Sequence, residues 1–452
     1  MSFPRYLEYT MRSEDWLREV PSHWDVRRLQ RCVAVTEGQV DPEDLKYSAM
    51  PLLAPNHIEP GTGRLLGLES AADQAAESGK YLCRSGDVVY SKIRPALRKA
   101  AIAPEDCLCS ADMYPLRAHS GLTNAFLFWW LLSEQFSGVA VLESQRVAMP
   151  KINRESLKQL SIPLPTLGEQ TAIERFLSFE TAKIDALVGE QRRLIDLLKE
   201  KRQAAISHAV TKGLNPDAPM NPSNIEWLGD VPEHWRVTRI KYRASVSNGS
   251  TPSRERPDYW TAGTFPWLNS GVVNDDPVAS AEQFVTALAL KECHLPIVRP
   301  PAIVVGITGQ GRTRGMASAL LFEATVSQHL AVLKPIDGMM DVYFLKRVIE
   351  MAYSYLRRDS DAAGSTKGAI TCEELGNFSI PCPPMGEQRA ISAYTDQVVA
   401  EIDSLIAETD RAIDLLQERR TALISAAVTG QIDVRGLVPS EAAGAGTAQW
   451  PN

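Results

Sequence analysis

The sequence predicts a mixed α/β (α+β) protein built from one unit used twice. Two globular domains are separated by two long helices that pair as an antiparallel coiled coil, giving a tandem repeat with pseudo-two-fold symmetry inside a single chain. Three observations lead there. Two blocks of sequence recur in the same order, each second block runs into a long proline-free stretch of helical periodicity, and the segments between blocks mix β-rich and helical runs.

The recurrence comes first, because a missed repeat misleads every later step. Trp16–Leu29 (WLREVPSHWDVRRL) returns as Trp227–Ile240 (WLGDVPEHWRVTRI). Ser161–Ile173 (SIPLPTLGEQTAI) returns as Ser379–Ile391 (SIPCPPMGEQRAI), and about half of the positions between 161 and 211 are identical to their partners. Between these blocks, residues 30–145 and 241–360 share only scattered features, such as Arg84-SGDVVYSKIR against Arg299-PPAIVVGITG. The chain reads as one frame carrying two different surfaces.

The shared tails read as helices. Pro163, Pro165, Pro381 and Pro383 exclude helix ahead of each Gly-Glu-Gln, since proline lacks the N–H donor and restricts its predecessor. From Glu169 to Val210 there is no proline, and Ile184, Leu187, Val188, Leu194, Ile195, Leu198, Ala205, Ile206 and Ala209 recur at three-four spacing. Ile402, Leu405, Ile406, Ala412, Ile413, Leu416, Leu423, Ile424 and Ala427 repeat that stripe. A helix of ~40 residues is about 60 Å long, so its stripe needs a second long helix, and the other copy supplies one. The alternative is two separate hairpins in separate domains. On the favoured reading residues 1–160 and 214–378 are the globular domains, 161–213 and 379–432 the spacer helices, and 433–452 an Ala/Gly/Pro-rich tail without packed structure. Glu169, Gln170, Ile184, Leu187 and Leu198, with Glu387, Gln388, Ile402, Leu405 and Leu416, are the expected helix and partner interface.

Composition narrows the function classes. The chain has 452 residues, 44% hydrophobic and 23% charged, with net charge −7. The longest strongly apolar run, Phe126–Leu132, falls far short of the roughly 20 residues that span a bilayer, and the N-terminus lacks a signal-peptide pattern. Seven scattered cysteines without a C-x-x-C pair argue against zinc and disulfide frameworks and favour the cytoplasm. Gly306-ITGQGRT-Thr313 has P-loop spacing, but Arg312 replaces the lysine that grips phosphate. No Asn/Asp-Pro-Pro-aromatic motif for adenine methylation is found, and Asp44-Leu-Lys46 lacks the upstream Pro-Asp of a nuclease. His23 and His234 precede Trp24 and Trp235 in both copies, which suggests a packing corner. No catalytic centre emerges, and no cofactor is expected on this chain.

What remains is basic loops. Lys92, Arg94, Arg98 and Lys99 crowd one segment of the first domain, with Arg146 and Lys151 in its late loop. Arg312 and Arg314 lie in the related glycine-rich loop of the second, with Lys367 later. Such residues neutralise phosphates, and arginine reads guanine through a two-pronged hydrogen bond.

The W-L-x-x-V-P-x-H-W block, the I-P-x-P-x-x-x-E-Q start and the A-V-T end of the helix, each present twice, resemble the specificity subunits of type I restriction-modification systems. Gly86–Ala103 (GDVVYSKIRPALRKAAIA) looks like that family's target-recognition strand and loop, and Gly306-ITGQGRTRG like its glycine-rich counterpart. Arg299-Pro-Pro-Ala302 departs from the pattern that Ser85-Gly-Asp87 follows. The resemblance implies two target-recognition domains, each reading half of a bipartite, asymmetric site on double-stranded DNA, with half-sites about 34 Å apart and the helices setting the unread gap. It implies two methyltransferase (M) subunits and restriction/translocase (R) subunits as partners, no membrane, and S-adenosylmethionine, ATP and Mg bound by those partners. The rival from another class is a coiled-coil scaffold that joins proteins without reading DNA.

Overall fold

The computed structural model describes residues 3–12, 16–144, 150–309, 311–336, 338–362 and 368–437. The chain divides into two compact units: Met1–Arg192 with Asp410–Asn452, and Arg193–Thr409. Two helices, Leu167–Lys212 and Met385–Val428, each contribute one stretch to either unit. Every unit therefore contains part of its own copy's helix and part of the other copy's. Each unit is thus a mixed α and β head with a stretch of both long helices.

In unit 1 the head holds a four-stranded antiparallel sheet in the order Val33–Val35, Met113–Ala118, Val88–Ser91, Ala100–Ile102. A second four-stranded sheet pairs Pro51–Leu53 with Cys107–Cys109 in parallel. Unit 2 repeats the plan. Ala244–Asn248, Leu330–Pro335, Ala302–Gly306 and Ala317–Leu320 form the antiparallel sheet, and Phe265–Leu268 runs parallel to Thr325–Val326 in a smaller one. The blocks that recur in sequence meet in space, since Asp25–Arg28 pairs with Ser161–Leu164 and Arg236–Arg239 with Ser379–Cys382. These two-stranded ribbons tolerate Pro163 and Pro381 because a proline costs least on an edge.

The helix starts and ends have local causes. Thr166 and Glu169 cap the first helix reciprocally: Thr166 Oγ1 donates to the Glu169 carboxylate at 2.8 Å, and Glu169 N–H donates to Thr166 Oγ1 at 3.4 Å. At the far end Gly213 takes φ +76°, the left-handed turn that stops a helix. Gly430 (φ +73°) lies just past the second helix, where an added Cβ would come within 2.5 Å of the Pro21 ring.

Inside each unit the helix stretches run antiparallel. In unit 1 Asp185 pairs with Arg420, while the core joins Ile173, Phe176 and Leu177 to Leu423, Ile424, Ala427 and Val428. In unit 2 Arg202 pairs with Asp403, while the core joins Ile206, Ala209 and Val210 to Ile391. The buried seam is narrower than the sequence stripe. Ile184, Val188, Ile195, Ile402 and Ile413 are buried and Leu198 and Leu416 half-buried, at the 3.5-residue repeat of a coiled coil. Leu187 and Leu405 lie beside that seam, about half exposed. The aromatic helix Asn124–Leu132 is core, with Phe126 to Leu132 all buried. No single helix among the described residues is long and apolar enough to cross a membrane.

Residues 433–437 of the expected unstructured tail are tied down, with Asp433 N–H donating to Pro4 O at 2.8 Å and Val434 buried. Residues 438–452 lie outside the described residues.

Candidate nucleic-acid interface

The recurring Glu-Gln pair anchors each head to the frame. Glu169 is buried and accepts from His23 Nε2 (2.8 Å) and Trp24 Nε1 (3.1 Å). Burial alone would raise its carboxyl, but hydrogen bonds from His23, Thr166 and Trp24 outweigh that and hold it below the usual carboxylate range. Gln170 accepts from Thr123 N–H at 2.9 Å and donates to Gly121 O and Pro165 O. Thr123 caps the aromatic helix, so Gln170 sets where that helix begins. Unit 2 does the same: Glu387 pairs with His234 Nε2 at 2.8 Å, and Gln388 accepts from Asp341 N–H and donates to Pro383 O.

Each anchored head brings its early basic loop and its late loop together. In unit 1, Ile93 forms a β-bridge with Lys151, Arg94 N–H donates to Pro150 O, and Ile152 N–H donates to Lys92 O. In unit 2, Thr308 bridges Ala369 and Ile370 N–H donates to Ile307 O. A third strand end joins in both, since Lys92 N–H donates to Asp112 O and Ile307 N–H to His329 O. Position for position the two tips are the same place with different chemistry.

The unit 1 tip is cationic. Arg94 and Lys151 are exposed. Lys92 and Lys99 are half-buried, their ammonium groups donating to Ala111 O at 2.6 Å and Pro55 O at 2.5 Å, which leaves them holding loops. Arg98 is half-buried; burial, helped by nearby Arg420, pulls its guanidinium below the ordinary arginine value against the pull of Glu134. It remains a cation. The unit 2 tip carries a hydrogen-bonded string of hydroxyl, amide and imidazole groups instead. Thr251 Oγ1 donates to Gln328 Oε1 (2.5 Å), Gln328 Nε2 lies 3.3 Å from His329 Nε2, and His329 Nδ1 lies 2.7 Å from Thr308 Oγ1. Arg312 is exposed, and its carbonyl accepts from Tyr353 Oη. Arg314 is buried at 3% exposure. Arg146 and Lys367 lie outside the described residues.

Three groups escaped the sequence reading. The Thr251–Gln328–His329–Thr308 string contains no Lys or Arg and comes from three distant segments, so nothing local marks it. Arg254 sits 3.7 Å from the Trp260 ring centroid and 5.2 Å from Trp267. Arg154 spans the Tyr81 and Tyr114 rings and pairs with Glu37 at 2.9 Å. Aligning the two heads strand by strand would have placed Gln328-His329 opposite Ala111-Asp112. Among the described residues no group of three or more His, Cys, Asp or Glu could hold a metal ion.

Compared with known proteins, residues 21–192 and 232–413 each match the family described as type I restriction modification DNA specificity domain. The EcoDI specificity subunit of Escherichia coli is 31% identical over 53% of this chain, and the chain spans only 53% of that relative. The putative MjaX specificity subunit of Methanocaldococcus jannaschii is 24% identical over 92% of this chain and 95% of its own. Among solved structures, a chain from a study of type I R-M complex assembly superposes with a TM-score of 0.70 at 20% identity, covering 93% of this chain and 99% of that one. The HsdS subunit from Thermoanaerobacter tengcongensis gives 0.52 at 21%, covering 91% and 98%. The two matches, one on each copy of the repeat, cover well over half of the sequence, and the chain belongs to the type I restriction-modification DNA specificity family, with that family's domain present twice.

Proposed function

We propose that this chain is the DNA-reading subunit of a type I restriction-modification complex and that each head reads one half of a bipartite, asymmetric site. The observation that carries the reading is the pair of equivalent tips with unlike chemistry, lysine and arginine at Arg94 and Lys151 and a hydrogen-bonded amide, hydroxyl and imidazole set around Gln328 and His329. Exposed cations position phosphates, and amide and hydroxyl groups read base edges in the major groove. Arg312, Arg314 and Lys367 stay part of the second reader, and Arg98, Lys99 and Arg146 part of the first. The residue boundaries drawn from the sequence serve as its working domains.

The paired helices set the unread gap and dock the partner subunits. Leu187 and Leu405, equivalent by repeat, are 50% and 48% exposed, and the equivalent Leu197 and Leu415 are 54% and 64% exposed. This repeated apolar set beside the seam suits two copies of one partner, which we assign to the methyltransferase subunits. Restriction subunits join that core in the cytoplasm, and S-adenosylmethionine, ATP and Mg belong to the partners. The test is selection from a randomised duplex library by the chain co-purified with its methyltransferase subunit. Two short unlike halves at a fixed gap are expected. Enrichment of no sequence by an intact complex would overturn the reading in favour of the scaffold.

A further inference from the structure

We propose that Arg420, on the second copy's long helix, is the positioning residue of the first head's DNA-reading hairpin, residues 94–99. The inference rests on the reading of unit 1 as a DNA-reading head. The hairpin is strained at both shoulders: Arg94 has φ +47° and Arg98 φ +48°, the left-handed region that side chains rarely adopt. Such backbone persists only where its surroundings over-determine it. Arg94 is held by its N–H donating to Pro150 O at 2.9 Å, and the Arg98 shoulder is held by the loop 55–64. Lys99 Nζ donates to Pro55 O at 2.5 Å, and Gly61 N–H donates to Arg98 O at 3.3 Å.

From the long helices two side chains reach that loop: Arg192 lies 3.8 Å from the Glu59 carboxylate, and Arg420 makes the direct hydrogen bonds to its backbone. Arg420 Nη1 donates to Gly61 O at 2.8 Å and Nη2 to Thr62 O at 3.2 Å, while Nε and Nη2 grip the Asp185 carboxylate at 2.8 and 3.3 Å. The Arg420 side chain is only 7% exposed. A planar guanidinium can serve a carboxylate on one edge and two successive carbonyls on the other, which a lysine's point charge cannot. The far side of the loop leaves little slack, because a Cβ at Gly63 would stand 2.4 Å from the Phe128 ring.

The repeat supplies the control. Arg202 and Asp403 occupy the positions in unit 2 that Arg420 and Asp185 occupy in unit 1, and pair at 2.6 Å. Their side chains are 38% and 52% exposed, and among the described residues Arg202 has no hydrogen bond to a head carbonyl. Pairing the helices therefore does not require the loop contacts. Those are an addition in unit 1.

The experiment scores the two halves of the selected site separately, using the full chain with its methyltransferase subunit. For Arg420→Gln, discrimination in the first half-site should fall at least ten-fold, with the second half-site and the gap unchanged. Arg420→Lys should restore part of it, whereas Asp185→Asn and Arg202→Gln should stay within two-fold of the parent. An intact first half-site in Arg420→Gln overturns the proposal. So does equal loss in both halves, or an Asp185→Asn result matching Arg420→Gln, since then the helix ion pair alone matters. If Arg420→Gln is not recovered in the complex, Arg420→Lys decides: a relaxed first half-site with an intact second supports the proposal, and both intact overturns it. A parent chain that enriches no sequence removes the DNA-reading function and this proposal with it.

Discussion

The two heads have one topology and opposite ways of fastening it. In unit 1 the helix behind the sheet presents Phe128 to the loop carrying Gly63, with Trp129 buried beside it at 5.0 Å between ring centroids. In unit 2 the equivalent residues are Lys346 and Arg347, also buried. Lys346 pairs with Asp276 and, at 3.1 Å, with Glu350, and Arg347 reaches Glu350 at 2.9 Å and Asp396 at 2.7 Å. Aromatic packing on one side thus stands where a five-member charge cluster stands on the other. Both solutions fill the same volume, but apolar packing is indifferent to its partner's identity, whereas each charge needs its counter-ion.

Exchanging the residues should therefore be asymmetric. Phe128→Lys places an ammonium where no carboxylate waits and should destabilise unit 1 by more than about 4 kcal/mol. Loss of soluble chain, or of the unit 1 transition in differential scanning calorimetry, is the readout. Lys346→Met keeps the volume but takes the cation from Asp276, while Glu350 retains Arg347. A cost of about 2–4 kcal/mol in unit 2 is expected from urea titration, reduced because Asp276 is partly exposed and can recover water. No loss would mean that the charge cluster is dispensable.

A smaller effect belongs to the anchor. Glu169→Gln should cost about 1–2 kcal/mol at neutral pH, since one acceptor weakens among several. Because Glu169 titrates below the ordinary carboxylate value in the folded chain, its contribution is complete above that range. It fades as pH falls below the ordinary carboxylate range and through the lowered folded value. The gap between parent and variant should close there, as followed by chemical denaturation at stepped pH. Smallest of all, Arg202→Gln removes an exposed pair and should change stability by less than about 0.5 kcal/mol.

The frame was legible in the sequence because its contacts are made by the repeated residues themselves. His23, Trp24, Glu169 and Gln170 recur as His234, Trp235, Glu387 and Gln388, and prolines bound the helices on one side. Even so, the repeat hides differences: Trp24 Nε1 finds Glu169, whereas Trp235 Nε1 is buried with no hydrogen-bond partner. The reading surface was legible only as a list of cations. In sequence Lys92, Lys99 and Arg94 look alike, yet two of them are tied to backbone carbonyls through partners 19 and 44 residues away. Arg314 looks like a loop cation and is nearly inaccessible. Gln328 and His329 carry no charge pattern at all. Which polar side chains face outward depends on long-range strand pairing, and that is not written in any local window.

One feature of the chain path bears on how the protein is made. Unit 2 is a single run, Arg193–Thr409, whereas unit 1 needs Leu423, Ile424, Ala427 and Val428 from the far end to finish a core begun at Tyr6 and Trp24. On a ribosome adding ~5–20 residues per second, the first half waits roughly ten to fifty seconds for those residues while the second closes ahead of it. The core of the first unit can be completed only after all of the second has been made. During that interval the underside of the first head, with Phe176 and Leu177 uncovered, is the surface that chaperones and proteases meet.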